Sequence, residues 1–218
     1  MIKKLRSFIW PQTTKIATDF NGTLELTWIN GKKVLDSKNA NYSYGNLQKI
    51  LEKGISKIDL KKVDSILLLG LGGGSIITSL IKKFNYEGKI DAVEIDKKII
   101  DIAKNEFNLL DFKNLKIIHT DAFNFVKNLN PQYNLIIVDV FIDQNVPLLF
   151  LTEEFCCNLS KKTAPKGCIL YNIGINLNKK DKQYQIVQYF EKSLNFKVNL
   201  FENILDTNTL MIANKTNS

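Results

Sequence analysis

Three carboxylates stand at the ends of apolar, strand-like runs, where a sheet could present them to a ligand. Glu94 closes "AVE", Asp121 follows "IIHT" and Asp139 follows "LIIV". Glu94 lies 24 residues after Gly70 and can accept hydrogen bonds from both hydroxyls of a ribose. Asp139 can position a nucleophile or take its proton, because burial beside a crevice raises the pKa of a carboxyl. The pattern predicts a nucleoside site with a carboxylate at its reactive end.

The glycine-rich turn "GLGGGS" follows the apolar run "SILLL" and has the spacing G-x-G-x-G at Gly70, Gly72 and Gly74. A missing Cβ lets the chain turn tightly and lets a ligand touch the backbone. Ser75 stands where the dinucleotide fingerprint needs a glycine, and no lysine follows as in a phosphate loop. The turn therefore argues against NAD and ATP. It could also serve only to pack a helix on a strand.

Other polar residues near these strand ends have simpler explanations. Asp96 precedes a helix and is expected to be its N-cap. Asp121 could accept from an adenine amino group or cap the next helix, and its spacing does not decide between the two. His119 is the only histidine, and we expect it to serve packing within its strand. A proton acceptor would then be a carboxylate or a tyrosine, and Asp139 is the best placed.

The elements that must position these residues alternate between strand and helix from residue 63 onward. Apolar strands "SILLLG", "KIDAVEI", "LKIIHT", "YNLIIVDV" and "GCILYNI" are separated by amphipathic helical segments, which predicts a parallel sheet covered on both faces. The runs "FKVNLFE" and "TLMIAN" are joined by a short loop and must be antiparallel. We therefore predict a Rossmann-like class I methyltransferase fold, an α/β fold whose mostly parallel seven-stranded sheet ends in an antiparallel C-terminal hairpin.

The segment before residue 61 has a different pattern. Asn30-Gly31 lies between two β-prone runs, which predicts a hairpin, and "NLQKILEKGI" has helical spacing. We place this small N-terminal β-hairpin unit plus helix at 1–60 and the Rossmann-like catalytic domain at 61–218. The hairpin is too small to be stable alone, so we expect it to pack on the main domain or to pair across a homodimer.

Composition narrows the class of protein and its partners. With 218 residues, 44% of them hydrophobic, the chain can build one full core. The net charge is +8, but Arg6 is the only arginine and the lysines are scattered, so we do not expect nucleic-acid binding. No segment has the apolar length of a signal peptide or a membrane span, and we expect a soluble, cytoplasmic protein with no membrane contact. The three cysteines have no metal-ligand spacing, and we expect no metal.

Several strings together resemble the spermidine synthase family of aminopropyltransferases, a branch of the class I methyltransferase fold. They are "ILLLGLGGGS", "AVEIDKKII", "HTDAF", "YNLIIVDVF" and "FLTEEFCCNLSKKTAPKGCIL", and the resemblance runs from about residue 63 to 173. It implies that Glu94 holds the ribose, with Ile95 beside it among the donor-binding residues, and that Asp121 and Ala122 hold adenine. The turn from Gly70 to Gly74 would face the sulfonium arm, and Asp139 would be the catalytic aspartate.

The chain departs from this family at the amine-binding positions. Gly73 stands where the family has an acid that meets the aminopropyl ammonium of the donor, and Ile142 replaces a second aspartate, with Asp143 one position later. A polyamine pocket should be acidic, because a buried unpaired ammonium costs several kcal/mol. Gly73 also removes the repulsion that would exclude the carboxylate of intact S-adenosylmethionine. Asp139, Asp143 and Tyr44, a tyrosine carried over from the family, remain candidates for orienting an acceptor.

Three functions are compatible with these residues. We place first a methyltransferase that uses S-adenosylmethionine on an unknown small acceptor, with Asp139 positioning or deprotonating it. The first alternative is an aminopropyltransferase that uses decarboxylated S-adenosylmethionine and a polyamine, with Asp143 in the role vacated at Ile142. The second is a non-catalytic nucleoside-binding protein. In each case we expect a small-molecule ligand and a homodimer.

Overall fold

The computed structural model describes residues 2–37, 41–128, 130–175, 177–178 and 181–216. The N-terminal part contains helix α1 (Ile2–Arg6) and the strands β1 (Gln12–Ala17), β2 (Thr23–Ile29), β3 (Lys32–Asp36) and β4 (Asn41–Ser43). These strands form an antiparallel sheet in the order β1-β2-β3-β4. Asn30 and Gly31 have φ angles of 49° and 73°, as a tight hairpin turn requires, and the predicted hairpin is present. Neither α1, β1 nor β4 was predicted from the sequence.

The rest of the chain forms one seven-stranded sheet flanked by helices. In chain order its elements are α2 (Asn46–Ile55), β5 (Ser65–Leu69), α3 (Ser75–Lys82), β6 (Lys89–Glu94), α4 (Lys97–Glu106), β7 (Leu115–His119), α5 (Ala122–Asn128), β8 (Tyr133–Val138), α6 (Glu153–Lys162), β9 (Thr163–Ile175), α7 (Lys182–Lys192), β10 (Phe196–Ile204) and β11 (Asn208–Lys215). The strand order is β10-β11-β9-β8-β5-β6-β7. Strands β5 to β9 are parallel, and β11 is antiparallel to both β9 and β10. This is the predicted fold.

Apolar cores cover both faces of this sheet. On one face Phe155 of α6 and Phe190 of α7 are fully buried, and on the other Leu51 of α2 and Ile77 of α3 are equally buried. Burying a side chain of this size stabilises the fold by about 1.5–3 kcal/mol. Among the described residues, no helix is both long enough and apolar enough to cross a membrane.

The N-terminal sheet packs on the main domain through α4. Leu24 and Leu35 are fully buried in a small cluster with Ile99 and Ile102 of α4. The Nζ of Lys33 donates to the main-chain oxygen of Glu106 at 2.9 Å and to its carboxylate at 2.8 Å. The first of the two expected arrangements of the hairpin, packing on the main domain, is therefore present.

Helix α2, which we had placed with the N-terminal unit in 1–60, packs instead on the central sheet. A Cβ added at Gly54 would lie 2.7 Å from Leu170 in β9 and 2.9 Å from Leu210 in β11. The helix therefore lies directly against the two strands, and a larger residue at this position would require these leucine side chains to shift. Helix α2 thus contributes to the core of the central sheet, and the boundary at residue 60 stays a prediction.

The order of the strands creates one point where the chain changes direction across the sheet. It runs outward from β5 to β6 and β7, and then returns to place β8 and β9 on the other side of β5. In an open parallel sheet, ligands bind beyond the C-terminal strand ends at such a point. Gly70 follows β5 and Asp139 follows β8, and the N–H of Asp139 donates to the carbonyl of Leu69 at 2.9 Å.

Candidate active site

A cavity of about 470 Å³ opens at this point of the sheet. Its volume lies in the range of about 300–1,000 Å³ that is usual for small-molecule sites. The loops after β5, β6, β7 and β8 line it, together with the end of β9, the β10–β11 turn and the first half of α2. Phe20 and Asn21, from the turn between β1 and β2, complete the wall.

The glycine turn divides into a part that faces the cavity and a part that packs behind it. Gly70 (φ 91°) and Gly72 (φ 53°) line the cavity, and any Cβ at Gly70 would clash with the carbonyl oxygen of Asp139. Gly73 and Gly74 do not line the cavity. A Cβ at Gly74 would clash with the side chain of Leu109. Both explanations of the turn therefore apply, to different glycines, and contact of Gly73 and Gly74 with a ligand stays a prediction.

Glu94 lines the cavity at the end of β6, and its carboxylate already holds the glycine turn. One oxygen, Oε2, accepts from the N–H groups of Leu71 at 3.1 Å and Gly72 at 3.3 Å. The other, Oε1, accepts from the N–H groups of Ile95 and Asp96, both at 3.0 Å. Burial raises the pKa of this carboxyl, and the N–H groups act in the opposite direction. Ribose binding by Glu94 stays a prediction, since its acceptor positions are engaged by the backbone here.

The end of β7 contributes Asp121 and Ala122 to the cavity. Asp121 Oδ1 accepts from the N–H of Asn124 at 2.8 Å, so this carboxylate caps α5 while it faces the cavity. Asp96 is the N-cap of α4, as predicted, and accepts from the N–H of Lys98 at 3.0 Å. His119 is not a packing residue as expected: its side chain is exposed, and Nε2 lies 3.0 Å from the carbonyl oxygen of Ile95.

Asp139 lines the cavity, half-buried, between the glycine turn and the end of β9. Its Oδ1 accepts from Asn172 Nδ2 at 2.9 Å. Burial raises the pKa of the Asp139 carboxyl to about 6, and the hydrogen bond from Asn172 acts in the opposite direction. Such a carboxylate is ionised at neutral pH and holds an acquired proton more strongly than an ordinary aspartate, which suits a general base.

The residues expected to orient an acceptor lie in different places relative to the cavity. Asp143 and Ile142 line the cavity, and Asp143 Oδ1 accepts from Ser37 Oγ at 3.0 Å. Tyr44 does not line it. Its ring stacks on Phe107 with a centroid distance of 4.3 Å, and its hydroxyl lies 3.2 Å from Thr78 Oγ1. These contacts turn the Tyr44 side chain toward α3 and α4, and its role in orienting an acceptor stays a prediction.

The charged side chains of the described cavity wall are all acidic. Among the described lining residues, Glu94, Asp121, Asp139 and Asp143 are acidic, and lysine, arginine and histidine are absent. Within the same described part of the chain, no group of three or more His, Cys, Asp or Glu side chains is placed to hold a metal ion. The wall suits a cationic organic ligand, since each positive group can meet a carboxylate.

Several residues of the wall were missed from the sequence. Asn172 ends the apolar run "CILY", which is the same signal that identified the three carboxylates, so it could have been found. Phe20 and Asn21 gave no signal, because the turn between β1 and β2 reaches the cavity only through the packing of the N-terminal sheet. Asn208, in the C-terminal hairpin, gave none either.

Comparison with known proteins agrees with this architecture. Residues 51–205 match the model of the spermine/spermidine synthase domain. The chain belongs to the spermine/spermidine synthase family. The resemblance identified in the sequence is thereby confirmed, over more than half of the chain.

Curated relatives of this family member include two aminopropyltransferases and a methyltransferase. The polyamine aminopropyltransferase of Clostridium beijerinckii is 32% identical over 112 residues, which cover 50% of this chain and 39% of the relative. Polyamine aminopropyltransferase 2 of Aquifex aeolicus is 31% identical, with 62% of this chain and 28% of the relative covered. A probable ribosomal RNA small subunit methyltransferase A of Pyrococcus furiosus is 30% identical, with 58% and 41% covered. The chain thus matches less than half the length of these relatives.

Solved structures support the fold. A probable spermidine synthase from Corynebacterium glutamicum superposes with a TM-score of 0.66 and 19% identity, covering 96% of this chain and 78% of that one. Human methyltransferase-like protein 13 in complex with SAH gives a TM-score of 0.61 and 20% identity, with 80% and 83% covered. The predicted class I methyltransferase-like fold is therefore confirmed.

The family and its named relatives favour aminopropyl transfer over the methyl transfer that we placed first. Methyl transfer is not confirmed by any of these likenesses. Both reactions are group transfers from an S-adenosyl sulfonium, so the expected class of donor is common to the two.

Proposed function

We propose that the chain is an aminopropyltransferase that moves an aminopropyl group from decarboxylated S-adenosylmethionine to a small amine. The observation that carries the proposal is the cavity wall, whose described residues include four carboxylates and no cation. The decarboxylated donor has a sulfonium, an ammonium and no carboxylate. Intact S-adenosylmethionine would bring a carboxylate to this wall, and a buried unpaired charge costs several kcal/mol.

The position of each side chain suggests its role in holding the donor. Glu94 and Ile95 at the end of β6 and Asp121 and Ala122 at the end of β7 form the side of the cavity that would take the nucleoside. The ribose would exchange for some of the backbone N–H groups that now bind Glu94. Gly70 and Gly72 would let the sulfonium approach the backbone between this side and Asp139.

Asp139 would prepare the acceptor for reaction. An amine in solution is protonated at neutral pH and cannot attack until it loses a proton, which the ionised Asp139 can accept. The amine nitrogen then forms a bond to the CH₂ group attached to sulfur. The carbon–sulfur bond breaks, its electron pair remains on sulfur, and the product is a neutral thioether, methylthioadenosine. Holding both reactants in line supplies much of the lowering of the barrier.

Methyl transfer remains the second candidate because of Gly73. No acid stands at this position of the glycine turn to repel the carboxylate of intact S-adenosylmethionine. The methyltransferase relative from Pyrococcus furiosus is consistent with it. In this case Asp139 would keep the same task toward a different acceptor.

Product analysis would test the proposal directly. The purified protein is incubated with decarboxylated or intact S-adenosylmethionine and a panel of amines, and methylthioadenosine and S-adenosylhomocysteine are measured by liquid chromatography and mass spectrometry. We expect methylthioadenosine, formed from the decarboxylated donor in proportion to the aminopropylated amine. Formation of S-adenosylhomocysteine alone would support methyl transfer instead.

Two variants test the role of Asp139 in this reaction. Asp139→Asn should lower kcat/KM at least about a hundredfold, the usual contribution of a general base, and leave donor affinity in calorimetric titration within a few-fold. Asp111→Asn, which changes an exposed aspartate outside the cavity, should have wild-type activity. Donor binding without either product, unchanged by Asp139→Asn, would favour the non-catalytic nucleoside-binding protein.

A further inference from the structure

Two buried asparagine side chains link the C-terminal hairpin to Asp139. Asn172 near the end of β9 is fully buried, and Asn208 at the start of β11 is 4% exposed. Asn172 Nδ2 donates to Asp139 Oδ1 at 2.9 Å, and Asn208 Nδ2 donates to Asn172 Oδ1 at 3.1 Å. All three residues line the cavity.

The order of these hydrogen bonds fixes the direction of the amides. Asn172 can present its Nδ2 group to Asp139 because its Oδ1 is held by Asn208. A flipped Asn172 would place Oδ1 against the carboxylate and Nδ2 against the amide nitrogen of Asn208. Both contacts would then be lost, and each buried group left without a partner costs about 1–3 kcal/mol.

The β10–β11 turn also holds the side chain of Asn208 in place. Thr207 Oγ1 donates to Asn208 Oδ1 at 2.8 Å, so both ends of the Asn208 amide are engaged. Leu205 and Asp206 in the same turn have left-handed φ angles of 51° and 66°. Backbone of this kind persists only where the surrounding structure holds it, which indicates that the turn is fixed in place.

The charged surroundings of Asp139 make this contact important. The other titratable side chains of the described cavity wall are Glu94 on β6, Asp121 after β7 and Asp143 in the loop after β8, and all are acidic. Burial disfavours ionised Asp139. Within the described wall, where no cationic side chain occurs, the amide of Asn172 is the group that favours its charged form.

We propose that Asn172 and Asn208 are positioning residues, which hold Asp139 ionised and aim its free oxygen at the acceptor amine. The proposal rests on the proposed function for the identity of the reaction, but the effect on Asp139 itself does not depend on it. The C-terminal hairpin is then part of the reaction machinery, although it contributes no group to the transfer.

The test is a titration of Asp139 in the whole chain of 218 residues. Carboxyl ¹³C signals of aspartate are followed by NMR against pH, and the Asp139 signal is identified by its absence in Asp139→Asn. Asn172→Ala should raise the pKa of Asp139 clearly, and Asn208→Ala should raise it less, because Asn172 remains but can flip. Asn199→Ala, which changes an exposed asparagine on β10, is the matched control and should leave it unchanged.

Kinetics give an independent readout. If the pKa of Asp139 rises by about one unit from about 6, the ionised fraction of its carboxyl at pH 6 falls about fivefold. The ionised fraction at pH 8 changes little. The acid limb of kcat/KM should therefore move to higher pH in Asn172→Ala. Asn172→Ser, a smaller change that keeps a donor, should lie between this variant and the wild type, and it serves for both measurements if Asn172→Ala does not fold.

The outcomes separate the two proposals. An unchanged Asp139 titration in a folded Asn172 variant would overturn the positioning role, whatever the activity. A shifted titration in a protein that transfers no aminopropyl group would support the positioning role and overturn the proposed function. A uniform loss of kcat at every pH, with the titration unchanged, would leave Asn172 only a structural role and count against the inference.

Discussion

Burial makes Asp139 useful for catalysis and unfavourable for folding. Its pKa is raised to about 6, so the folded protein binds this proton more tightly than the unfolded chain does. The stabilisation from this proton is complete below the ordinary aspartate pKa and is lost as the pH rises through about 6. Asp139→Asn removes the titration, and the free energy of unfolding at pH 8 should therefore increase, by about 3 kcal/mol before solvent screening of the half-buried carboxylate reduces it.

Chemical denaturation at pH 8 and at pH 5 would measure this effect. The stabilisation of the Asp139→Asn variant relative to the wild type should be larger at pH 8 than at pH 5. An Asp139→Asn protein that is less stable than the wild type at pH 8 would show that the charged carboxylate stabilises the fold, against this argument.

Gly70 is the glycine whose substitution should affect both stability and the site. Its φ of 91° is unfavourable for any other residue, and an added Cβ would clash with the carbonyl of Asp139. Gly70→Ala should cost on the order of 2–4 kcal/mol of unfolding free energy and weaken donor binding, since relief of the clash displaces Asp139. Thermal melting and calorimetric titration with the donor would measure the two effects.

Gly22→Ala is the matched control for this change. Gly22 also has a left-handed φ, 64°, but an added Cβ would meet nothing within 4 Å. Only the backbone cost of about 1–2 kcal/mol should appear, with no loss of donor affinity. Equal effects of the two substitutions on donor binding would contradict a specific role for the Gly70 contact.

At the scale of elements, the N-terminal sheet depends on α4 for its core. Leu35 of β3 is fully buried among Leu24, Ile99 and Ile102. Leu35→Ala should lower the free energy of unfolding by about 2–5 kcal/mol, because it opens a cavity between the sheet and the helix. Urea denaturation would measure it, with Ile29→Ala, at a 41% exposed residue of the neighbouring strand, as a control expected to change little. A Leu35→Ala protein with wild-type stability would contradict this packing role.

The sequence predicted those elements whose signal is local. Each strand of the parallel sheet is an apolar run ended by a turn, and Asn30-Gly31 specifies its hairpin through backbone preferences alone. Strand β1 was missed because "QTTKIA" has a half-buried, mostly polar pattern that resembles a loop. Helix α1 was missed because none of its five residues is buried.

The residues of the site also differ in whether a local sequence signal identifies them. Glu94, Asp121 and Asp139 were found because a polar residue that ends a buried strand must lie at the edge of the sheet. The direction of the Tyr44 side chain could not be predicted, because it depends on a left-handed backbone, with φ of 64°, and on stacking with Phe107. Contacts of that kind arise from tertiary packing, which residue spacing does not encode.

At the scale of the whole molecule, residues 2–10 expose apolar side chains that a second copy of the chain could cover. The exposed fractions of these side chains are 67% for Ile2, 64% for Leu5, 62% for Phe8, 89% for Ile9 and 73% for Trp10. Strand β1 follows directly and forms an edge of its sheet, and an edge strand can pair with another chain. Exposed apolar patches on soluble proteins commonly mark interaction sites. We therefore predict a homodimer in which this segment lies at the interface.

Light scattering after size exclusion would test the dimer. The wild type should have a mass of about twice 24.9 kDa, the mass of one chain. A double variant, Ile9→Glu with Trp10→Glu, should shift the protein to a monomer, because two charges buried at an apolar interface cannot be compensated. Leu110→Glu places the same charge at a 68% exposed leucine elsewhere and should remain dimeric.

Since Phe20 and Asn21 reach the cavity from the same small sheet, the monomeric variant should bind the donor more weakly if the interface fixes that sheet. A wild type that is monomeric at every concentration would contradict the prediction and leave the exposed segment without a function in assembly.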